Sequence, residues 1–246
     1  MKLISLNTWC GIKYEELKIF LDYQSKDVDI FCFQEIRNGD YLHQNEESNE
    51  KNNLFKEMKI LLPDFVGHFT EMAQGIGIAI FIRNDIEVEK IESTQILTVK
   101  ELEHLQTPGS TRYYPRLLQS IYLKDKNLVI HNFHGVPKNE KKDTPERDLQ
   151  TKRLLEIIDS NSNKSQILAG DFNLNIDTKA IARLGDQMQN LIKGSKFKTT
   201  RNGNYKYFEA MPFADYVFIS KDIKVSKFLV LPDEISDHLA LLLKFV

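Results

Sequence analysis

Ile167-Leu168-Ala169-Gly170-Asp171-Phe172-Asn173-Leu174-Asn175 is the stretch on which the reading of this 246-residue chain turns. A short, largely apolar run over residues 166–169 has the character of a buried strand. Gly170 then permits a tight turn. Short polar side chains follow at every second position: Asp171, Asn173 and Asn175. That spacing aims Asp171 and Asn173 into one pocket at the C-terminal end of the strand, where open α/β sheets keep their sites. A carboxylate there can take a proton from water, and a neighbouring amide can hold a phosphoryl oxygen. The alternative is a βα turn whose Asp and Asn only satisfy backbone groups.

Working upstream, Thr144 precedes Pro145 and Glu146 and reads as the N-cap of a helix. Thr151, Leu154, Leu155 and Ile158 give that helix a buried stripe. Before it, residues 118–123 and 128–134 form a predicted hairpin around Lys124-Asp125-Lys126-Asn127. Strand, helix and the 167–169 strand then make a parallel crossover. The strand before the helix ends Asn132-Phe133-His134-Gly135, with Asn132 and His134 on one face and His131 on the other. A histidine at a strand end is either structural or catalytic. Arg116 either reaches the same edge or is solvated. The basic run at residues 138–142 reads as a solvated loop.

Downstream, Ile181, Leu184, Met188, Leu191 and Ile192 predict one more helix. Residues 193–207 are the most basic part of the chain. Lys193, Lys196, Lys198, Arg201 and Lys206 alternate there with Phe197, Tyr205 and Tyr207. Charge with aromatics suits a phosphate-bearing ligand with stackable bases, and an exposed hairpin around Asn202-Gly203 is the alternative. A strand over 213–220 carries Asp215, which is costly to bury unless paired. Ser236-Asp237-His238 precedes a closing strand at 239–245, so His238 has an apolar-strand aspartate available as its acid/base partner.

The N-terminal part repeats the crossover. A strand over 2–6 ends at Asn7-Thr8-Trp9, a helix spans 14–24 with Leu17, Phe20, Leu21 and Gln24 in phase, and a buried strand over 29–34 ends in Glu35. Asn7 and Glu35 therefore share one sheet edge. In isolation Asn7 fits a turn cap and Glu35 a solvated carboxylate. A polar surface loop over 37–53, a helix carrying Leu54, Met58, Leu61 and Leu62, and strands over 65–70, 76–82 and 86–99 complete the chain. Gly75-Ile76-Gly77 leads into a strand and is no dinucleotide fingerprint.

Composition narrows the function classes. With 41% hydrophobic residues the chain can bury a large core, and no linker, repeat or low-complexity tract divides it. One domain over residues 1–246 is expected. A formal charge of -2 excludes a strongly basic nucleic-acid binder and an acidic tail. Cys10 and Cys32 make no disulfide framework or zinc spacing, and are expected as free thiols near the core. No run of 18 apolar residues occurs, and the chain starts directly in a strand. A cytoplasmic monomer is expected, with no membrane association and no stable protein partner.

Asn7, Phe33-Gln34-Glu35, Asn132-x-His134, Gly170-Asp171-Phe172-Asn173, Asp215-Tyr216 and Ser236-Asp237-His238 occur in the order of the endonuclease/exonuclease/phosphatase superfamily, which the chain resembles from Lys2 to Phe245. GDFN and SDH are each short, but six motifs in order are specific. The resemblance implies a four-layer α/β sandwich, with two mixed sheets packed face to face and helices outside. It also implies a Mg²⁺-dependent phosphoester hydrolase, with Mn²⁺ as a substitute. Glu35 is then the principal metal ligand, with Asn7 and Asp237 contributing. Asp171 orients and deprotonates the water, Asn173 binds phosphate, and His134 and Asp215-held His238 stabilise the phosphoryl charge. Arg116 sits where some members place a phosphate-contacting Arg, a looser match. The expected substrate is nucleic acid, bound in part through Lys196, Lys198 and Arg201. Alternatives are a small-molecule or lipid-headgroup phosphoester, and a non-catalytic phosphate-binding module.

Overall fold

The computed structural model describes residues 1–39, 49–103, 114–138 and 140–246. Of the predicted loop over 37–53, residues 40–48 lie outside the described residues. Two six-stranded mixed sheets pack against each other with helices outside. The first contains β1 (Lys2–Asn7), β2 (Ile30–Arg37), β3 (Phe65–Ala73), β4 (Ile76–Arg83), β11 (Val225–Val230) and β12 (Leu241–Phe245), in the order β11-β12-β1-β2-β4-β3. The second contains β5 (Val88–Leu97), β6 (Arg116–Leu123), β7 (Leu128–His134), β8 (Ser165–Asp171), β9 (Gln189–Asn190) and β10 (Asp215–Ile219), in the order β5-β6-β7-β8-β10-β9.

Both predicted crossovers form. β1 and β2 are parallel through α1 (Tyr14–Gln24), and β7 and β8 are parallel through α4 (Pro145–Ser160), a single-turn α3 (Val99–Leu102) following β5. Period-2 alternation decides which side chains enter which layer. On β2, Ile30 and Cys32 join the core between the sheets, while Phe31 and Phe33 face the outer layer with α1 and α2 (Leu54–Leu61). Phe31 and Phe33 stack at 5.3 Å, and each such ring contributes roughly 1.5–3 kcal/mol on burial. Cys10 and Cys32 are buried free thiols. Among the described residues no helix is long and apolar enough to cross a membrane.

Polar cross-links tie the sheets together below the pocket. Gln34 Nε2 donates to Asn132 Oδ1 at 2.7 Å, and Asn132 Nδ2 donates to the carbonyls of Phe33 and Ala79 at 3.0 and 3.1 Å. His131, on the opposite face of β7, is held by Ser120 and Gln166 and is structural.

Five expectations are corrected. The last predicted helix stops early: α5 is Lys179–Gln187, and Met188 begins an extended segment that includes β9. Met188 and Ile192 are still buried, so helical spacing and a buried extended run coincide there. Thr144 occupies the N-cap position of α4, but its side chain makes no capping hydrogen bond. Residues 138–142 are not uniformly solvated, because Lys141 is only 6% exposed. No hairpin forms around Asn202-Gly203 among the described residues; Arg201 instead makes an isolated antiparallel bridge with His238. Gly170 lies inside β8 at φ 148°, and a Cβ there would come within 2.0 Å of the Phe133 carbonyl oxygen. Its role is close strand approach more than a turn.

Candidate active site

The ends of three neighbouring strands set the site. In the register of the second sheet, His134 on β7 lies beside Asp171 on β8, which lies beside Asp215 on β10. These three side chains therefore form one row facing the first sheet. Across from them, Asn7 ends β1 on the inward face and donates through Nδ2 to Asp171 Oδ2 at 3.1 Å. Its Oδ1 accepts from the Trp9 N–H at 3.0 Å, so Asn7 is held at both ends.

Glu35 reaches the same pocket by a different device. Simple alternation from Phe33 would turn it outward. The register of β2 with β4 shifts between Phe33 and Ile36, and Glu35 adopts φ 55°. Such a bulge re-aims the side chain, and it brings Glu35 Oε1 to 3.7 Å from His134 Nε2. Glu35 keeps 26% side-chain exposure, whereas Asp171 keeps 1%. β2 also continues beyond the predicted end at Glu35, to Arg37.

His238 arrives on the segment before β12. Its Nδ1 lies 2.8 Å from Asp215 Oδ2, and its Nε2 lies 3.7 Å from Asp171 Oδ2 and 3.8 Å from Asp237 Oδ1. Burial and the Arg201 guanidinium act to depress its pKa, but the charges of Asp215, Asp237 and Asp171 outweigh them and push it up to about 9. His238 is therefore an imidazolium at neutral pH. His134 behaves oppositely. Burial pulls it down to about 3, against the attraction of Asp171 and with help from the Arg116 charge. It is a neutral imidazole, and neither ring nitrogen has a hydrogen-bond partner among the described residues.

Asp171 is held at both carboxylate oxygens. Its Oδ1 accepts from the Asn173 backbone N–H at 2.7 Å, and its Oδ2 from the side-chain amides of Asn173 and Asn7, both at 3.1 Å. Burial acts to raise its pKa, but His238, His134, Arg201 and Lys141 hold it well below the usual carboxylate range. Asn173 sits just past β8 at φ 56°, a left-handed conformation that Asn tolerates. Asp171 and Asn173 thus meet as expected, through this turn and not through continued strand alternation.

The other predicted residues divide. Arg201 is buried, with Nη1 3.4 Å from Asp237 Oδ2 and its guanidinium 3.8 Å from the Tyr205 ring centroid. Arg116 opens β6, is buried, and is close enough for its charge to act on His134, so the solvated alternative is excluded. Lys196 and Lys198 are exposed. One residue was missed: Lys141, whose Nζ donates to Asn173 Oδ1.

The donor set fits a hard divalent cation. Glu35, His134 and Asp171 each offer an atom within 4.8 Å of the others. Of these Glu35, with Asp237 close enough to act on it, supplies the carboxylate oxygens such a cation takes, while both Asp171 oxygens already accept N–H donors. Burial and the neighbouring charge of Asp237 raise the Glu35 carboxyl against a hydrogen bond from Asn7, which marks crowded negative charge that a cation would relieve. Asp171, Asp215 and His238 are equally close together, but the protonated imidazole makes that group an ion pair network.

A sequence model described as the Endonuclease/Exonuclease/phosphatase family matches residues 4–238. Among solved structures, an endonuclease/exonuclease/phosphatase family protein from Bacteroides thetaiotaomicron is 20% identical, with a TM-score of 0.72 over 100% of this chain and 97% of that one. The human Nocturnin catalytic domain, solved with a bound sulfate anion, is 15% identical, with a TM-score of 0.69 over 100% of this chain and 93% of that one. TDP2 from C. elegans is 20% identical, with a TM-score of 0.69 over 99% and 74%. These likenesses are of fold. No curated protein matches the chain.

Proposed function

The chain belongs to the endonuclease/exonuclease/phosphatase family, and from that premise we propose that it is a divalent-metal-dependent phosphoester hydrolase using water as the nucleophile. The observation that carries this reading is the pairing of a carboxylate and an imidazolium in one pocket: Asp171, held by three N–H donors, faces His238, itself kept charged by Asp215.

Asp171 orients the attacking water and receives its proton as the new P–O bond forms and the bond to the leaving-group oxygen breaks. Because its pKa is depressed, it is a weak base, and orientation is the larger part of its contribution. Asn173 Nδ2, the His238 imidazolium and an N–H of neutral His134 point donors at the phosphoryl oxygens, where charge accumulates. A divalent cation, Mg²⁺ or Mn²⁺, held by Glu35 with Asp237, would supply charge neutralisation at those oxygens. Asn7 serves by holding Asp171, since its own oxygen is engaged by Trp9. The substrate we favour is a nucleic acid or nucleotide-like phosphodiester, because Arg201 and Tyr205 stack beside Asp237 at the end of the basic 193–207 segment.

Wild-type protein should hydrolyse bis-p-nitrophenyl phosphate or an oligonucleotide only with added divalent metal. Glu35→Gln should weaken Mn²⁺ binding measured by calorimetry, with partial recovery of rate at excess Mn²⁺. Asp171→Asn should retain Mn²⁺ binding and lose roughly 10²–10⁴-fold in kcat. Near wild-type rates from both variants would exclude this site. Loss of Mn²⁺ binding in Asp171→Asn would move Asp171 into the metal shell.

A further inference from the structure

Resting on the hydrolase reading above, we propose that Lys141 is a positioning residue that fixes the Asn173 side-chain amide with its N–H groups, and not its oxygen, toward Asp171 and the phosphate. A carboxamide presents two faces of nearly the same shape, one a donor and one an acceptor. Only the donor face is useful beside a carboxylate and a phosphoryl oxygen. Lys141 Nζ donates to Asn173 Oδ1, and an ammonium has no acceptor capacity, so the amide oxygen must face it. Asn173 Nδ2 is thereby left toward Asp171 Oδ2 at 3.1 Å, with the Gly135 carbonyl 3.5 Å away. The reversed amide would set its oxygen against the Asp171 carboxylate and its N–H groups against a cation.

The loop that carries Lys141 is built to hold it there. The Asn175 N–H donates to the Lys141 carbonyl at 2.9 Å. Arg147, in the first turn of α4 and fully buried, donates to the carbonyls of Glu140 and Lys142 on either side of Lys141, at 2.5 and 2.7 Å. Its other terminal nitrogen donates to the carbonyls of Val136 and Asn173 at 3.1 and 2.8 Å. One guanidinium thus ties the Lys141 loop and the Asn173 backbone into a single unit. An ammonium that is 6% exposed is unfavourable unless its surroundings use its charge. Burial does lower Lys141 to about 8, against the attraction of Asp171 and with Arg201 and Arg147 adding to the fall.

The test uses the full chain labelled with ¹⁵N-asparagine, the Asn173 side-chain amide pair being assigned by its loss in Asn173→Ala. Lys141→Met should move that pair, and Lys141→Arg should return it toward the wild-type position. In Mn²⁺ with bis-p-nitrophenyl phosphate, Lys141→Met should lose about 10- to 100-fold in kcat while KM stays within about threefold. Lys141→Arg should recover most of that rate. The Lys141→Met/Asn173→Ala double variant should be no slower than Asn173→Ala alone. Unmoved amide resonances, a folded Lys141→Met with wild-type kcat, or losses that multiply in the double variant would each overturn the proposal. A wild-type protein inert on every phosphoester would instead overturn the hydrolase reading, and the amide resonances would still decide whether Lys141 orients Asn173.

Discussion

Asp171 and Asp215 are direct register partners across antiparallel β8 and β10, two buried carboxylates on neighbouring strands. Like charges so placed repel. They coexist because His238 lies between them, with Nδ1 2.8 Å from Asp215 and Nε2 3.7 Å from Asp171. The imidazolium is therefore a brace between two strands as well as the donor proposed for the phosphoryl oxygens. Its removal leaves buried negative charge without its partner, a change that typically costs about 3–5 kcal/mol.

This brace predicts a fall in stability with rising pH in metal-free protein. The His238 pKa is raised from the ordinary 6.5 to about 9. A raised group stabilises the fold fully below its unfolded pKa and loses that contribution as pH rises through its folded pKa. Lys141, lowered to about 8, acts in the opposite sense above that pH. His131 and His134, lowered to about 4 and 3, also act in the opposite sense near pH 6.5. The window is therefore pH 7 to 8, where the His238 contribution should fall by about 1 kcal/mol. Urea midpoints in chelating buffer measure it, and His238→Gln should flatten the slope. A midpoint rising with pH across this window would refute the imidazolium assignment.

His134 should show the opposite balance, function without stability. Its two ring nitrogens are buried with no hydrogen-bond partner among the described residues, so the fold gains no hydrogen bond from the polarity of this ring. His134→Met keeps bulk and removes both nitrogens. The thermal midpoint should stay level or rise, equivalent to a change within about 1 kcal/mol. The rate on a chromogenic diester should fall by roughly 10²–10³ if the ring donates to a phosphoryl oxygen. Normal turnover in the variant would remove His134 from the chemistry.

What the sequence made legible, and what it hid, follows from how far each residue depends on distant partners. Asn7, His134 and Asp171 end strands and Asp215 opens one. Alternation and crossovers are local patterns, so their placement at strand ends could be read, while their meeting in one pocket came through the family resemblance. Glu35 was found at a strand end, although its aim depends on a bulge that alternation does not reveal. The division into two sheets came through the family resemblance, because short strands do not announce which sheet they join. Lys141 was invisible: in a run of lysines nothing local shows that the Asn175 N–H and Arg147 pull its loop inward. The end of α5 was misread because Met188 and Ile192 are buried after the helix as they would be within it.

The basic 193–207 segment separates into parts with different expected effects. Lys196 and Lys198 are exposed and free to meet a long anionic substrate. Arg201 is buried against Asp237 and its charge acts on His238, so its loss would disturb the site itself. Phe197 packs edge-on against Phe228 of β11 at 5.9 Å, and truncating it should cost stability more than stacking. Tyr205 is partly exposed under the Arg201 guanidinium and is the better candidate to stack on a base, a contact of ~1–3 kcal/mol. Lys196→Ala with Lys198→Ala should therefore raise the KM of a single-stranded oligonucleotide. If both contact phosphates, the dependence of log KM on log salt should flatten by roughly 1.4, that is, about 0.7 per contact. Bis-p-nitrophenyl phosphate, which reaches only the pocket, should be hydrolysed unchanged. Arg201→Ala should slow both substrates. If the double lysine variant loses nothing on the oligonucleotide, the reason for preferring nucleic acid disappears, and a phosphomonoester or lipid headgroup becomes the better substrate.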